Sequence, residues 1–331
     1  MDAAVIGGGS WGSAFALHLG RLHRKTLLWV RENEVYRDLQ DNLRNGVFLP
    51  GFRFPPEVGF SRDIEKTAAS APVIFVAVPS RFCRQVYGDL APVLTPDQIV
   101  VSLTKGIEEI SLKRMTEVMA EVFSRTTVPR LAVLSGPSFA REVAAELPTA
   151  VVIASEDTAA AQTVQRFVSN IHFRAYTSGD VIGVELAGAL KNVIAVAAGI
   201  SDALHFGHNP RAALITRGIA EMTRLGIRCG ARKDTFLGLA GIGDLVLTCT
   251  AQQSRNYHVG YELGKGRALA DIQAETKMVA EGITTTLSAR SLADREGIEM
   301  PICAEIYRVL YEDKNPEESL RDLMLRTLKV E

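Results

Sequence analysis

The feature that most constrains this chain is a spaced set of glycines in AAVIGGGSWGSAFALHL, close to its first residue. Ala3–Ile6 is an apolar run with the make-up of a buried strand, and residues 11–22 follow with a helical pattern. Gly7, Gly9 and Gly12 fall between them as G-x-G-x-x-G. Each glycine answers a separate steric demand: Gly7 a tight turn, Gly9 the approach of a pyrophosphate to the backbone, Gly12 close packing of helix on strand. The helix start then offers N–H groups and the positive end of its dipole to phosphates. The segment therefore reads as the opening of a dinucleotide-binding βαβ unit. Ser10 and Trp11 lie inside the turn, where the indole could cover a cofactor or simply pack.

The alternation continues downstream. Short apolar runs at 26–30, 73–78, 99–103, 131–134 and 150–154 read as strands, with helical patterns at 81–90, 112–123 and 158–167, the last capped by Asp157. Mostly continuous apolar strands are expected where a parallel sheet is covered on both faces. Strand signals largely stop after Ser178. Asn209-Pro210 followed by Gly226 predicts a helix with Asn209 as N-cap and Gly226 just past its end. Further helices are expected near 283–295, Pro301–Tyr311 and 316–326. The expected fold is an α/β doubly wound, Rossmann-type domain over 1–178 and an all-α domain over 179–331.

Composition excludes some classes. A net charge of −1, with 47% hydrophobic and 23% charged residues, gives no electrostatic support for nucleic-acid or membrane-surface binding. Cys83, Cys229, Cys249 and Cys303 are widely spaced and form no metal pattern, which fits a reducing, cytoplasmic setting. His205-x-x-His208 lacks a third ligand, so no metal is expected. MDAAVIG has neither part of a secretory signal. The apolar run around Lys191 reads as too short and interrupted for a membrane span.

Cofactor choice is read at the end of the second strand, where an acid accepts a ribose 2′-hydroxyl and an arginine accommodates a 2′-phosphate. Arg31 follows LLWV there and favours NADP; Glu32 beside it leaves NAD open. VAVPS places Pro79 and Ser80 after another strand, beside the same crevice.

Lys191 is the second anomaly. It sits in VELAGALKNVIAVAAGI, and its neighbours one helical turn away, Ala187, Gly188, Ile194 and Ala195, include no carboxylate. A buried ammonium needs a partner from elsewhere in the fold. GLAGIGDLVLTCTAQQSRNYHVG supplies a candidate acid, Asp244, with Thr248 one turn on. The same segment carries Ser254, Arg255 and Asn256, a hydroxyl, a guanidinium and an amide that together suit a phosphate. Ser254 equally suits a helix N-cap, and both roles can hold. Lys105 in SLTKGIE follows a strand and could bind a substrate oxygen, or it is an exposed loop lysine. Gly136, Pro137 and Ser138 in LSGPSFARE form a strand-to-helix turn that could offer backbone donors.

In order, GGGSWGSA, VAVPS, SLTKGIE, SGPSFARE, GALKNVIAVAAGI, GLAGIGDLVLTCTAQQSRN and VAEGITT resemble the bacterial NAD(P)-dependent glycerol-3-phosphate dehydrogenases along essentially the whole chain. The resemblance implies reduction of dihydroxyacetone phosphate to sn-glycerol 3-phosphate by NAD(P)H, supplying phospholipid synthesis. It implies Lys191 as general acid/base, with Lys105, Asp244 and Thr248 lining the reacting centre. Gly136, Ser138, Ser254, Arg255 and Asn256 match substrate positions. Ser10, Trp11, Arg31, Lys105, Ala140, Arg255, Val279 and Glu281 match cofactor positions; Val279 and Glu281 rest on the resemblance alone. Tyr257 and His258 stand where relatives often carry basic residues. No nucleic-acid partner or stable membrane insertion is expected, and a homodimer is allowed but not required. Two other readings stay open: a related hydroxy-acid dehydrogenase, and a non-catalytic dinucleotide-binding module.

Overall fold

The computed structural model describes residues 1–275 and 278–327. The chain forms two compact units, one of residues 1–105 and 113–185, the other of 106–112 and 186–331. The chain thus crosses between them three times, after 105, after 112 and, inside the helix Val181–Ala203, after 185.

The first unit holds an eight-stranded sheet and a two-stranded one. Its strands are β1 (Ala3–Ile6), β2 (Thr26–Trp29), β3 (Arg44–Asn45), β4 (Leu49–Arg53), β5 (Val58–Ser61), β6 (Val73–Val76), β7 (Ile99–Ser102), β8 (Arg130–Ser135), β9 (Thr149–Ala154) and β10 (Phe173–Ser178). The large sheet runs β10-β9-β8-β7-β6-β1-β2-β5, parallel throughout except between β8 and β9. Both faces are covered, and the strands show why their apolar runs are unbroken. Ala3 and Val5 belong to one core with Phe75 and Val101, while Ala4 and Ile6 belong to the opposite core with Ile74, Val76 and Val100. A doubly wound sheet is the result.

Four strands carry no clear signal in the sequence. β10 alternates buried and exposed residues in FRAYTS at a sheet edge. β5 contains Gly59, and β3 and β4 are a short antiparallel pair rich in Arg, Gly and Pro. Asp157 does cap its helix, accepting from the N–H groups of Ala159 and Ala160.

Among the described residues, the second unit is helical. Its first helix, Val181–Ala203, is longer and more continuously apolar than the sequence reading allowed. It meets the length and hydropathy of a membrane span, yet 94% of its most apolar window is buried within the protein, as in a core helix. Glycines bring a second helix, Arg255–Gly264, onto it: a Cβ on Gly260 would lie 2.0 Å from the Val196 carbonyl oxygen, and one on Gly199 2.1 Å from that of Tyr257. The helix expected to start at Asn209 and stop before Gly226 runs instead over His208–Arg228, with Gly207 as N-cap. Gly226 is an internal packing position, because the Phe236 ring occupies the place its Cβ would take, 2.1 Å away. Gly230, at φ +95°, takes the left-handed position beyond the true end.

Candidate active site

In the first unit the residues of interest follow the carboxyl ends of parallel strands, where open α/β sheets bind ligands. Gly7 follows β1 at φ +121°, and a Cβ there would meet the Ala77 carbonyl oxygen at 2.5 Å. A Cβ on Gly12 would lie 1.9 Å from the Gly7 oxygen, so helix Ser10–Arg21 can sit against the turn only with glycine there. Gly9 differs: nothing lies within 4 Å of its would-be Cβ, and as N-cap it gives the helix no side-chain cap. The turn is braced from a distance. Buried Asn45 donates to the Gly8 carbonyl and to Ser13 Oγ, both at 2.8 Å. No sequence signal pointed to Asn45, thirty-odd residues from the motif. The Trp11 ring packs on Phe15, and its buried Nε1 finds no partner among the described residues. A cradle open beside Gly9 and an orphaned indole donor fit a dinucleotide. Gly7, Gly9, Ser10, Trp11 and Gly12 would hold its pyrophosphate end, with Arg31 at the close of β2.

Lys105 follows β7, and its Nζ donates to the Gly136 carbonyl oxygen at 2.8 Å. Ser138 Oγ donates to the same oxygen at 2.8 Å. The turn expected to offer backbone donors therefore also presents a carbonyl that gathers Lys105 and Ser138. Gly136 is at φ +132°, with Val151 Cα 3.0 Å from a would-be Cβ. Ala140 begins the short helix Ala140–Ala144 beyond.

In the second unit Lys191 meets Asp244. Its Nζ donates to Asp244 Oδ1 at 2.7 Å and to Thr248 Oγ1 at 2.6 Å. Lys191 is 6% exposed, Asp244 1% and Thr248 2%. The Thr248 hydroxyl spends its own proton on the Asp244 carbonyl, at 2.6 Å, which leaves its lone pairs facing the lysine. The segment folds this way because Gly241 lets a π-turn, Leu239–Gly243, close on Phe236: a Cβ there would sit 2.1 Å from the Phe236 carbonyl oxygen. Asp244 then becomes the first residue of helix Asp244–Thr250. Removing either charge would strand the other in a dry site. Cys249 beside Thr248 is no rival nucleophile: burial pushes its thiol up to about 12, against the pull of Lys191.

Ser254 caps helix Arg255–Gly264, its Oγ accepting from the Tyr257 N–H. Arg255 opens that helix and is exposed, with the Glu281 carboxylate near enough to favour its positive charge. Asn256 is buried and bridges helices, donating to Asn192 Oδ1 and accepting from the Gly282 N–H, both at 2.8 Å. Asn192, next to Lys191, and Gly282, next to Glu281, are positions the sequence reading missed, although both lie inside motifs it quoted. A Cβ on Gly282 would fall 2.7 Å from the Asn192 carbonyl oxygen, so glycine is needed for this bridge. Val279 precedes helix Glu281–Glu296, which Glu281 begins. Tyr257 has a structural task, its hydroxyl donating to Asp202 at 2.6 Å.

Comparison with known proteins gives the family. The family profile described as NAD-dependent glycerol-3-phosphate dehydrogenase N-terminus matches residues 2–161, and its C-terminus counterpart matches 180–321. The chain is 50% identical over 331 residues to a glycerol-3-phosphate dehydrogenase [NAD(P)+] of Syntrophotalea carbinolica, covering 100% of this chain and 99% of the relative. It is 51% identical over 327 residues to that of Geobacter sulfurreducens, covering 99% and 98%. The crystal structure of glycerol-3-phosphate dehydrogenase from Coxiella burnetii superimposes with a TM-score of 0.94 at 38% identity, covering 98% of this chain and 99% of that one. The chain, with its doubly wound nucleotide-binding sheet and its helical unit carrying a buried lysine–aspartate pair, belongs to the NAD-dependent glycerol-3-phosphate dehydrogenase family.

Proposed function

We propose that this protein reduces dihydroxyacetone phosphate to sn-glycerol 3-phosphate reversibly, with Lys191 as the proton donor and acceptor. The observation that carries this reading is the buried ammonium of Lys191, held by Asp244 and Thr248 in the helical unit. The nicotinamide, when bound, supplies or receives the hydride at C2. As negative charge develops on the carbonyl oxygen, Lys191 Nζ delivers a proton to it; in the reverse direction it takes the hydroxyl proton back. Asp244 and Thr248 orient Nζ and offset its charge, so the proton leaves from a defined direction. Lys105 binds the substrate oxygen, with Gly136 and Ser138 shaping its turn. Ser254, Arg255 and Asn256 take the phosphate, with Asn256 also keeping its bridging role. Arg255, Ala140, Val279 and Glu281 complete the cofactor's surroundings. On this reading the enzyme works in the cytoplasm, as a monomer or homodimer, and feeds phospholipid synthesis.

The test is consumption of NADPH and NADH with dihydroxyacetone phosphate, run side by side. Lys191→Met should cut turnover by about 100-fold or more while dinucleotide binding survives. Near-normal turnover would remove Lys191 from the chemistry. Better reaction of a non-phosphorylated hydroxy acid would favour the related dehydrogenase, and no turnover at all would favour a binding module.

A further inference from the structure

Strands β2, β1 and β6 are consecutive, parallel neighbours, so their carboxyl ends open on one edge of the sheet. The glycine turn follows β1, Arg31 follows β2, and Ser80, Arg81 and Phe82 open the helix after β6. The half-buried Phe82 ring lies within cation–π range of two guanidinium groups: Arg31 Cζ is 5.2 Å from its centroid and Arg81 Cζ 4.6 Å. Both arginines are exposed. Arg62 adds a third cation, donating to the Arg31 carbonyl oxygen at 3.2 Å and to Asn33 Oδ1. Glu32 opposes this charge, accepting from Arg31 Nε at 3.3 Å. Like charges gathered on one ring repel, and a dianionic ligand with several acceptor oxygens is the chemistry that reverses that cost.

We propose that Arg81 joins Arg31 in binding the 2′-phosphate of NADP(H), with Phe82 as the platform that orients both guanidinium groups. Arg81 is then a determinant of cofactor choice. This rests on the dinucleotide-binding reading and goes beyond it by selecting NADP(H) over NAD(H). The selectivity belongs to the adenosine end, so it is measurable without any reaction.

The experiment is equilibrium binding to the whole enzyme, by calorimetry and by quenching of its tryptophan fluorescence, with NADPH, NADH, 2′,5′-ADP and 5′-ADP. Arg81→Ala should weaken NADPH and 2′,5′-ADP by about 10-fold or more and leave NADH and 5′-ADP within about two-fold. Arg81→Lys, which keeps the charge but loses the fork, should recover part of the NADPH affinity. Equal losses for both cofactors would assign Arg81 to the adenosine or to the fold and overturn the proposal, as would unchanged NADPH binding in Arg81→Ala. An unaltered protein that bound neither NADH nor NADPH would overturn the underlying reading and this proposal with it.

Discussion

Two glycine-rich turns open helices in this protein, and they use glycine for opposite ends. At Gly7–Gly12 the helix begins without a side-chain cap, and the space beside Gly9 is open. At Gly238–Gly243 the turn closes on its own backbone, and the helix begins with an aspartate already engaged by a lysine. The first turn leaves a helix N-terminus uncapped and open, which on the proposed reading takes an anion from outside. The second supplies an anion from within, and by doing so holds an ammonium in a dry place. Glycine content alone does not separate the two; what fills the space around each missing Cβ does.

The comparison can be broken most severely at the closed turn. Asp244→Asn leaves Lys191 buried without its counter-charge and should destabilise the protein by about 3–5 kcal/mol in denaturant unfolding. Adding Lys191→Met should recover much of that loss, because the stranded charge is gone; simple additivity would mean that the pair is not coupled.

A third helix N-terminus sharpens the contrast. Buried Glu221 accepts from the N–H groups of Ile302 and Cys303, at 2.9 and 3.4 Å, at the start of helix Pro301–Tyr311. Burial raises its pKa from 4.5 to about 7, against the pull of those N–H groups. The folded state therefore holds this proton more tightly than the unfolded chain does. The stability it contributes is complete below about pH 4.5 and is lost as pH rises through about 7. Glu221→Gln should match the unaltered protein near pH 5 and exceed it by about 2–3 kcal/mol at pH 8. Parallel pH profiles of Tm would rule out Glu221 as the titrating group.

Smaller effects separate the turns directly. Gly241→Ala should cost roughly 2 kcal/mol of stability, since its Cβ would have to displace the Phe236 backbone. Gly9→Ala should leave the melting temperature nearly unchanged and weaken dinucleotide binding by about 10-fold, or about 1.4 kcal/mol. A large stability loss at Gly9, or a binding loss without a stability loss at Gly241, would erase the distinction.

What was legible in the amino-acid order was local. Ala3–Ile6, the glycine spacing, Asp157 as a cap, Ser254 as a cap and Pro301 at a helix start each depend on residues within a few positions, and each stands where expected. The same reading placed Asn209 and Gly226 wrongly, because nothing local reveals that Phe236 fills the space over Gly226. It passed over β10 for a related reason: an edge strand needs only one buried row, and its polar alternates mask it. The candidate site divides in the same way. That Lys191 needed a partner followed from its apolar surroundings alone. Asp244 could be named as a candidate, but its bond to Nζ, the direction of the Thr248 hydroxyl and the Asn192–Asn256–Gly282 bridge were decided by helix packing. So was the bracing of the glycine turn by Asn45. Backbone preferences act over a few residues and are written in the sequence, whereas desolvation acts through space and is set only once the chain has packed.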